Sequence, residues 1–393
     1  MEDVVILEGA RTPIGKFLGS YAQTPAVQLG VAATKEALKR ANVGTEQVQH
    51  LVYGHGRQAG NGPNAGRQVS YFSGIPQEVN AFAVNMACAS GSKAIQLGAE
   101  QIVLGNYEIV VVGGMENMTQ VPFLLPNLRF GYRLGDAPLL DAMYTDGFSC
   151  RLCGLIMGET AENVARRYNI SRQAQDEYAL ETQQKAEAGK ERRAKEMFPM
   201  EIPGKKKGQT ATVTEDEHPR PDTTLETLAK LPPVFDKENG TVTAGNSSGI
   251  TDGAASLVLM PESRAKAEGR EPLAKIVAYS EAGVDPAYMG IAPIFSTRKI
   301  LEKTGLKMAD FECVEINEAF AAQVVACDKE LKFDHDRLNV KGGAIAVGHP
   351  IGMSGARIVL SLAYEMREQG YSLGLATLCV SGGQGMSFVL ERS

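Results

Sequence analysis

The chain has 393 residues, 44% apolar and 22% charged, with a formal net charge of −6. That length allows two or three domains around a generous core, and the acid excess argues against a nucleic-acid surface, which needs a basic field to neutralise phosphates. No run reaches the length of a membrane span, and six scattered cysteines favour reduced thiols and a cytoplasmic setting.

The first predicted element is a strand in "MEDVVILEGARTP", whose two leading acids are unlike a secretory leader. An amphipathic helix, "VAATKEALKRAN", follows, and then a strand closes "VGTEQVQHLVYG" at Gly54. "VNMACASGSKAIQLGA" places a Gly-rich turn at Cys88 before a helix beginning near Ser90, and "NYEIVVVGG" is the next strand. Residues 119–249 break this rhythm. They hold the Arg/Pro/Gly-rich "PFLLPNLRFGYRLGDAPLL", helices in "GETAENVARRYNISRQAQDEYALETQQKAEAGK" with Ser171 suited to start one, and a basic turn, Lys205 to Lys207, read as exposed.

The elements after the break repeat those before it. "LKMADFECVEIN" resembles residues 43–54, with Asn317 over Gly54 at an offset of 263. "MSGARIV" matches "ASGSKAI", with Ser354 over Ser90 at an offset of 264, and "GYSLGLATL" falls over "NYEIVVVGG". Between Ser256 and Ser387 the offset drops to 131, so about 133 residues are inserted late in the first copy. The expected organisation is one half from residues 1–118 and 250–271, an inserted domain at 119–249, and a second half at 272–393. Alternating strands and helices predict parallel strands covered on both faces, and two copies packed together make an α-β-α-β-α body. Sites in such sheets lie where strand ends feed helix starts, here at Cys88, Asn317 and His349.

Each of those turns has a chemical and a plain reading. Cys88 at a helix start sees the positive end of the helix dipole, which favours the thiolate; otherwise it is a buried cysteine in a turn. Cys379, in "TLCVSGGQGMSF", ends a strand equivalent to the one ending at Met115, and by itself defaults to core packing. His349, three residues ahead of the position equivalent to Cys88, would face the same cleft and act as a base, or be a hydrogen-bonded turn residue. In "EINEAF", Asn317 and Glu318 are expected to begin a helix, where Asn317 either donates to an oxyanion or caps the helix.

Together "NMACASG", "GGMENM", "TAGNSSGITDGAA", "NEAFAAQ", "GGAIAVGHPIGMSGARI" and "LCVSGGQG" resemble the thiolases, acetyl-CoA C-acyltransferases, over essentially the whole chain. The resemblance implies an α/β fold with a duplicated unit in a five-layered α-β-α-β-α core and an inserted loop domain. It implies reversible Claisen condensation of two acetyl-CoA, or thiolysis of a 3-ketoacyl-CoA, through an S-acyl-Cys88 intermediate. His349 would activate Cys88, Cys379 would move the α-carbon proton, and Asn317 would anchor a water in one oxyanion hole. The Cys88 and Ser381 N–H groups would form the other. Arg220 and Thr227 would meet the nucleotide end of coenzyme A, Ser248 its pantetheine, and Met157, Met289, Ala319 and Phe320 the substrate. No cofactor or metal is implied beyond coenzyme A as substrate and product. The implied assembly is a homo-oligomer, a dimer of dimers, with "PFLLPNLRFGYRLG" as a second contact.

Two positions depart from the family pattern. Ile156 stands where short-chain members usually have His, which puts strict acetoacetyl-CoA specificity in question. Ser381 stands where the family has Gly, and it is expected at negative φ with its N–H kept. Competing readings are a degradative thiolase of broader chain length, a decarboxylating ketoacyl synthase, a non-catalytic acyl-CoA carrier, and a zinc or redox protein on Cys150 and Cys153. The last lacks a second ligand pair at suitable spacing.

Overall fold

The computed structural model describes residues 2–204 and 208–393, so the turn at Lys205, Lys206 and Lys207 lies outside the described residues. Its main sheet is built from β1 (Val4–Arg11), β2 (His50–Gly54), β3 (Asn80–Val84), β4 (Val110–Asn117), β5 (Thr251–Pro261), β6 (Ala274–Gly283), β7 (Cys313–Ile316), β8 (Leu373–Val380) and β9 (Gln384–Glu391). They lie in the order β7-β8-β9-β6-β1-β5-β4-β2-β3, and the short strand Gly15–Lys16 also pairs with β5. The neighbours and directions of β1-β5-β4-β2 are those of β6-β9-β8-β7, so the repeat in sequence is a repeat in topology. The halves meet where β1 pairs β6 across Val4, Val5 and Ile6.

The sheet is mixed, which corrects the expectation of parallel strands. Only β4-β2-β3 and β7-β8 run parallel. Ser381, Gly382 and Gly383 are the whole connection between β8 and β9, and so short a link closes only an antiparallel hairpin. Gly382 and Gly383 hold φ of +88° and +80°, a conformation in which a Cβ is penalised. In the first half, residues 118–250 occupy the place of that turn, between β4 and β5.

Side-chain alternation along the strands produces the layers. Val110 and Val112, Leu257 and Leu259, Leu378 and Val380, and Phe388 and Leu390 face one shared core with helices Ser90–Val103 and Ile351–Gln369. Their sheet neighbours Val5, Val111 and Val258 face outward onto helix Ala26–Arg40. In the second half Leu375, Val389 and Val314 face helices Ala292–Thr304 and Ala321–Leu331. The result is five layers, α-β-α-β-α, with the middle helices covered on both sides. Every residue from Ile351 to Met366 is buried accordingly.

The two middle helices touch through glycine. A Cβ on Gly91 would lie 2.6 Å from the Ala356 nitrogen and 2.9 Å from its Cβ, and one on Gly355 would lie 2.5 Å from Ser92 Oγ. Gly91→Ala is therefore expected to destabilise the chain by about 1–3 kcal/mol through overpacking, read as a lower midpoint of thermal unfolding.

The segment between β4 and β5 carries helices Met157–Arg167 and Arg172–Ala188. Ser171 caps the second, accepting the Ala174 N–H at 3.1 Å as its position suggested. Buried Arg11 on β1 ties the segment to the core, reaching Glu196 at 2.8 Å and Asp216 at 2.7 Å.

Candidate active site

The Cys88 turn is held in a strained form. Ala87 has φ of +43°, unusual for a residue with a Cβ. Asn85 Oδ1 accepts the Ala87 N–H at 2.9 Å, while the Ser90 hydroxyl accepts the Met86 N–H at 2.9 Å and donates to the Ala87 carbonyl at 2.7 Å. These bonds present the Cys88 thiol, half-buried, at a cavity of about 270 Å³ between the two halves and the inserted segment.

Eight of the residues singled out from sequence line that cavity: Cys88, His349, Ser381, Ser248, Met157, Met289, Ala319 and Phe320. Ile156 lines it too, as the residue before helix Met157–Arg167. Cys379 and Asn317 are fully buried and lie outside the lining set. Cys379 packs with Met157, Met289 and Ala319, directly beneath the lining. Arg220 and Thr227 are exposed and apart from the cavity, Thr227 in a cap with Thr224.

His349 follows Gly348, whose φ of +106° brings the chain against Thr251. Its Nδ1 lies 2.6 Å from Ser354 Oγ, and that hydroxyl donates to the Pro350 carbonyl at 2.9 Å. The network therefore assigns the proton to Nδ1 and leaves Nε2 as the free acceptor. Nε2 faces Asn317 Nδ2 at 3.4 Å. Burial, followed by Arg357 and Arg57, pushes His349 down to about 3, so the imidazole is neutral at neutral pH.

Asn317 and Glu318 do not begin a helix, which corrects the sequence reading. The helix starts at Ala321, and Phe320 precedes it, so Asn317 is no cap. The cause is a pairing with a distant segment: Ser248 N–H bonds the Ala319 carbonyl at 3.0 Å, and Ala321 N–H bonds the Asn246 carbonyl at 2.9 Å. Glu318 anchors the loop, accepting from Tyr178 at 2.8 Å, Thr182 at 2.9 Å, Asn339 at 2.7 Å and the Ile345 N–H at 3.0 Å. Asn317 is thereby fixed beside His349.

Ser381 is absent from the residues with positive φ, as expected, and its N–H lies near enough to the Cys88 sulfur to favour the thiolate. The thiol itself corrects the helix-dipole argument. Burial pushes Cys88 above its ordinary value, against the Ser381 N–H and Arg57, which pull it down. Cys379 is raised well above the ordinary thiol range by burial and then by Cys88 and Cys327. Alkylation of the resting protein by iodoacetamide is thus expected to rise with pH through a midpoint above that of free cysteine. A midpoint below neutrality would show that the helix end prevails over burial.

Sequence reading missed Ser354, although it stands inside "GHPIGMSGAR", and it missed Phe235, Phe148, Ser247 and Arg57 in the lining. The "GHGRQAG" stretch carries no local sign that Arg57 reaches Cys88. Cys150 and Cys153 sit beside Cys379 and Met157. Burial opposes ionisation of Cys150, while the Cys153, Leu152 and Gly382 N–H groups favour it, with the net effect downward. Among the described residues, no group of three or more His, Cys, Asp or Glu side chains is placed to hold a metal.

Residues 4–263 match the thiolase N-terminal domain, and residues 270–392 match the thiolase C-terminal domain. The acetyl-CoA acetyltransferase of Escherichia coli (strain K12) is 48% identical over 395 residues, covering all of both chains. That of Rhizobium meliloti (strain 1021) is 47% identical, covering 99% of this chain and 98% of its own. The crystal structure of the Bacillus anthracis acetyl-CoA acetyltransferase superposes with a TM-score of 0.96 at 42% identity, covering 100% of this chain and 99% of that one. With both halves matched by family and by fold, the chain belongs to the thiolase family.

Proposed function

We propose that the chain is an acetyl-CoA C-acyltransferase that joins two acetyl-CoA into acetoacetyl-CoA and CoA, and runs the reverse thiolysis. The observation that carries this is the convergence of a thiol, an N–H donor pair and a neutral imidazole on one cavity.

In the first half-reaction the Cys88 thiol gives its proton to His349 Nε2, and the sulfur attacks the thioester carbonyl. CoA leaves with the proton of the Cys379 thiol, His349 keeps the proton from Cys88, and Cys88 carries the acyl group. In the second, the Cys379 thiolate takes the α-proton of a second acetyl-CoA, the carbanion attacks the acyl-Cys88 carbonyl, and Cys88 leaves and recovers its proton from His349. The Cys88 and Ser381 N–H groups hold the oxyanion at the acylated sulfur, and Asn317 with His349 holds the enolate oxygen through a water. A resting Cys379 that keeps its proton suits a group that must both give and take one. Coenzyme A would reach the cavity along Ser248, with its nucleotide end over the inserted domain toward Arg220 and Thr227. The chemistry calls for no other cofactor.

A second reading has an observation of its own. Ile156 adds apolar surface beside Phe235 and Met157, which favours a degradative thiolase accepting longer 3-ketoacyl chains. The chain is expected to act as a homo-oligomer in the cytoplasm. Two surfaces support assembly: the edge strand β3 with Phe82 exposed, and the hairpin Phe123–Leu124 with Leu140–Asp141, whose loop exposes Phe130 and Leu134. Light scattering distinguishes a dimer from a dimer of dimers.

The purified protein is expected to release acetyl-CoA from acetoacetyl-CoA and free CoA without added metal or reductant. No turnover would refute the thiolase reading. A kcat/KM series over 3-ketoacyl chain lengths ranks the two substrate readings.

A further inference from the structure

We propose that Arg57 reads an anion at the end of the acyl chain, an inference that rests on Cys88 being the acyl acceptor, and that the substrates include acyl-CoA thioesters ending in a carboxylate. Arg57 is 8% exposed and lines the same cavity as Cys88. Among the described residues its guanidinium forms no ion pair or hydrogen bond, and its Nε is buried with no acceptor. Glu116 supplies negative charge nearby, but its oxygens are turned to backbone N–H groups. Its Oε2 takes the Gly56 N–H at 3.0 Å and the Gly352 N–H at 2.9 Å, while its Oε1 takes the Arg57 N–H at 3.0 Å and faces His55 Nε2 at 3.2 Å. A carboxylate offers about four such sites, and three of them hold backbone N–H groups.

A guanidinium does not shed its proton, so burying it without an acceptor is costly unless a ligand brings one. The surroundings say which part of the ligand. Cys88 packs in an apolar cluster with Met118, Phe148 and Ile351, and all four line the cavity with Arg57. A Cβ on Gly147 would lie 2.8 Å from Arg57 Nε, so the inserted segment closes over the guanidinium. This wall belongs to the group carried on sulfur and is apart from Arg220 and Thr227. The oxyanion at the acylated sulfur has its own donors in the Ser381 and Cys88 N–H groups. The remaining anion is a terminal carboxylate on the acyl chain, which a guanidinium can bind bidentately.

The reaction balances as a thiolysis. Cys88 sulfur attacks C3 of an ω-carboxy-3-ketoacyl-CoA after giving its proton to His349. The C2–C3 bond breaks, its electron pair takes a proton from Cys379, and acetyl-CoA departs. The thiol of free CoA gives its proton to the Cys379 thiolate and displaces Cys88, which recovers its proton from His349. The product is an ω-carboxyacyl-CoA two carbons shorter.

The test compares kcat/KM for 3-ketoadipyl-CoA and its neutral counterpart, 3-ketohexanoyl-CoA, in wild type, Arg57→Met and Arg57→Lys. Wild type is expected to favour the carboxylate substrate by about ten- to a hundredfold, the discrimination of a site built around a polar partner. Arg57→Met is expected to abolish that ratio, and Arg57→Lys to keep part of it. Wild-type preference for the neutral substrate overturns the inference, as does an equal loss on both substrates in Arg57→Met, which would assign Arg57 to the Cys88 thiolate. If a variant does not fold, the wild-type ratio decides. Acetoacetyl-CoA thiolysis by wild type is measured alongside: its absence refutes the thiolase reading, whereas its presence with no carboxylate preference refutes only the role of Arg57.

Discussion

Cys88→Ala is expected to lower turnover of acetoacetyl-CoA by more than about 10⁴-fold, because it removes the atom that carries the acyl group between half-reactions. Incubation of wild type with acetyl-CoA followed by intact-mass measurement should show one added acetyl group, and the variant should show none. Cys379→Ala separates the half-reactions. It is expected still to acylate and to exchange CoA between acetyl-CoA and free CoA, since neither step breaks a C–H bond and His349 can hand its proton to the leaving CoA, while condensation fails. Full condensation in Cys379→Ala would remove Cys379 from the reaction, and full turnover in Cys88→Ala would remove the covalent route.

Arg11→Met is expected to destabilise the fold by about 3–5 kcal/mol, the cost of leaving buried charges without their partner. Arg11 is fully buried, with Glu196 at 2.8 Å and both Asp216 oxygens at 2.7 and 3.0 Å. Methionine fills much of the space but leaves two buried carboxylates. Lys341, 3.3 Å from Glu196, and Arg193, 3.4 Å from Asp216, compensate in part. Despite burial, Lys341 and then Arg11 hold Glu196 at about 2, below its ordinary 4.5. The stability this depressed carboxylate contributes is present in full above about 4.5 and is lost as pH falls through about 2. Chemical denaturation of both proteins at neutral pH and at pH 3 measures the effect. The difference between them should shrink on the acid side, and equal stability at neutral pH would refute the role given to Arg11.

Much of the molecule was legible from sequence because its signals are local or periodic. The succession of strands and helices marks an α/β chain, and the fixed offset marks the duplication. Ser171 was readable as a helix start because a cap acts within three residues. The turns at Cys88 and His349 were readable because a strained Gly-rich connection needs its small residues at fixed places.

What the sequence concealed depends on partners far along the chain. The Asn317 loop looked helical because nothing local shows Asn246 and Ser248 pairing beside it. The expected thiolate at Cys88 reflected the helix end alone, whereas burial between two halves meeting 264 residues apart outweighs it. Ser354 fixing the His349 tautomer, Arg11 joining Asp216, and Arg57 left without an acceptor among the described residues are likewise products of the tertiary fold. By itself the sequence determined the repeat, the order of strands and helices and the chemical types at the turns, because hydrophobic periodicity and backbone conformation are short-range constraints. The folded structure decided protonation, pairing and reach, because electrostatics and hydrogen bonding depend on what lies nearby in space.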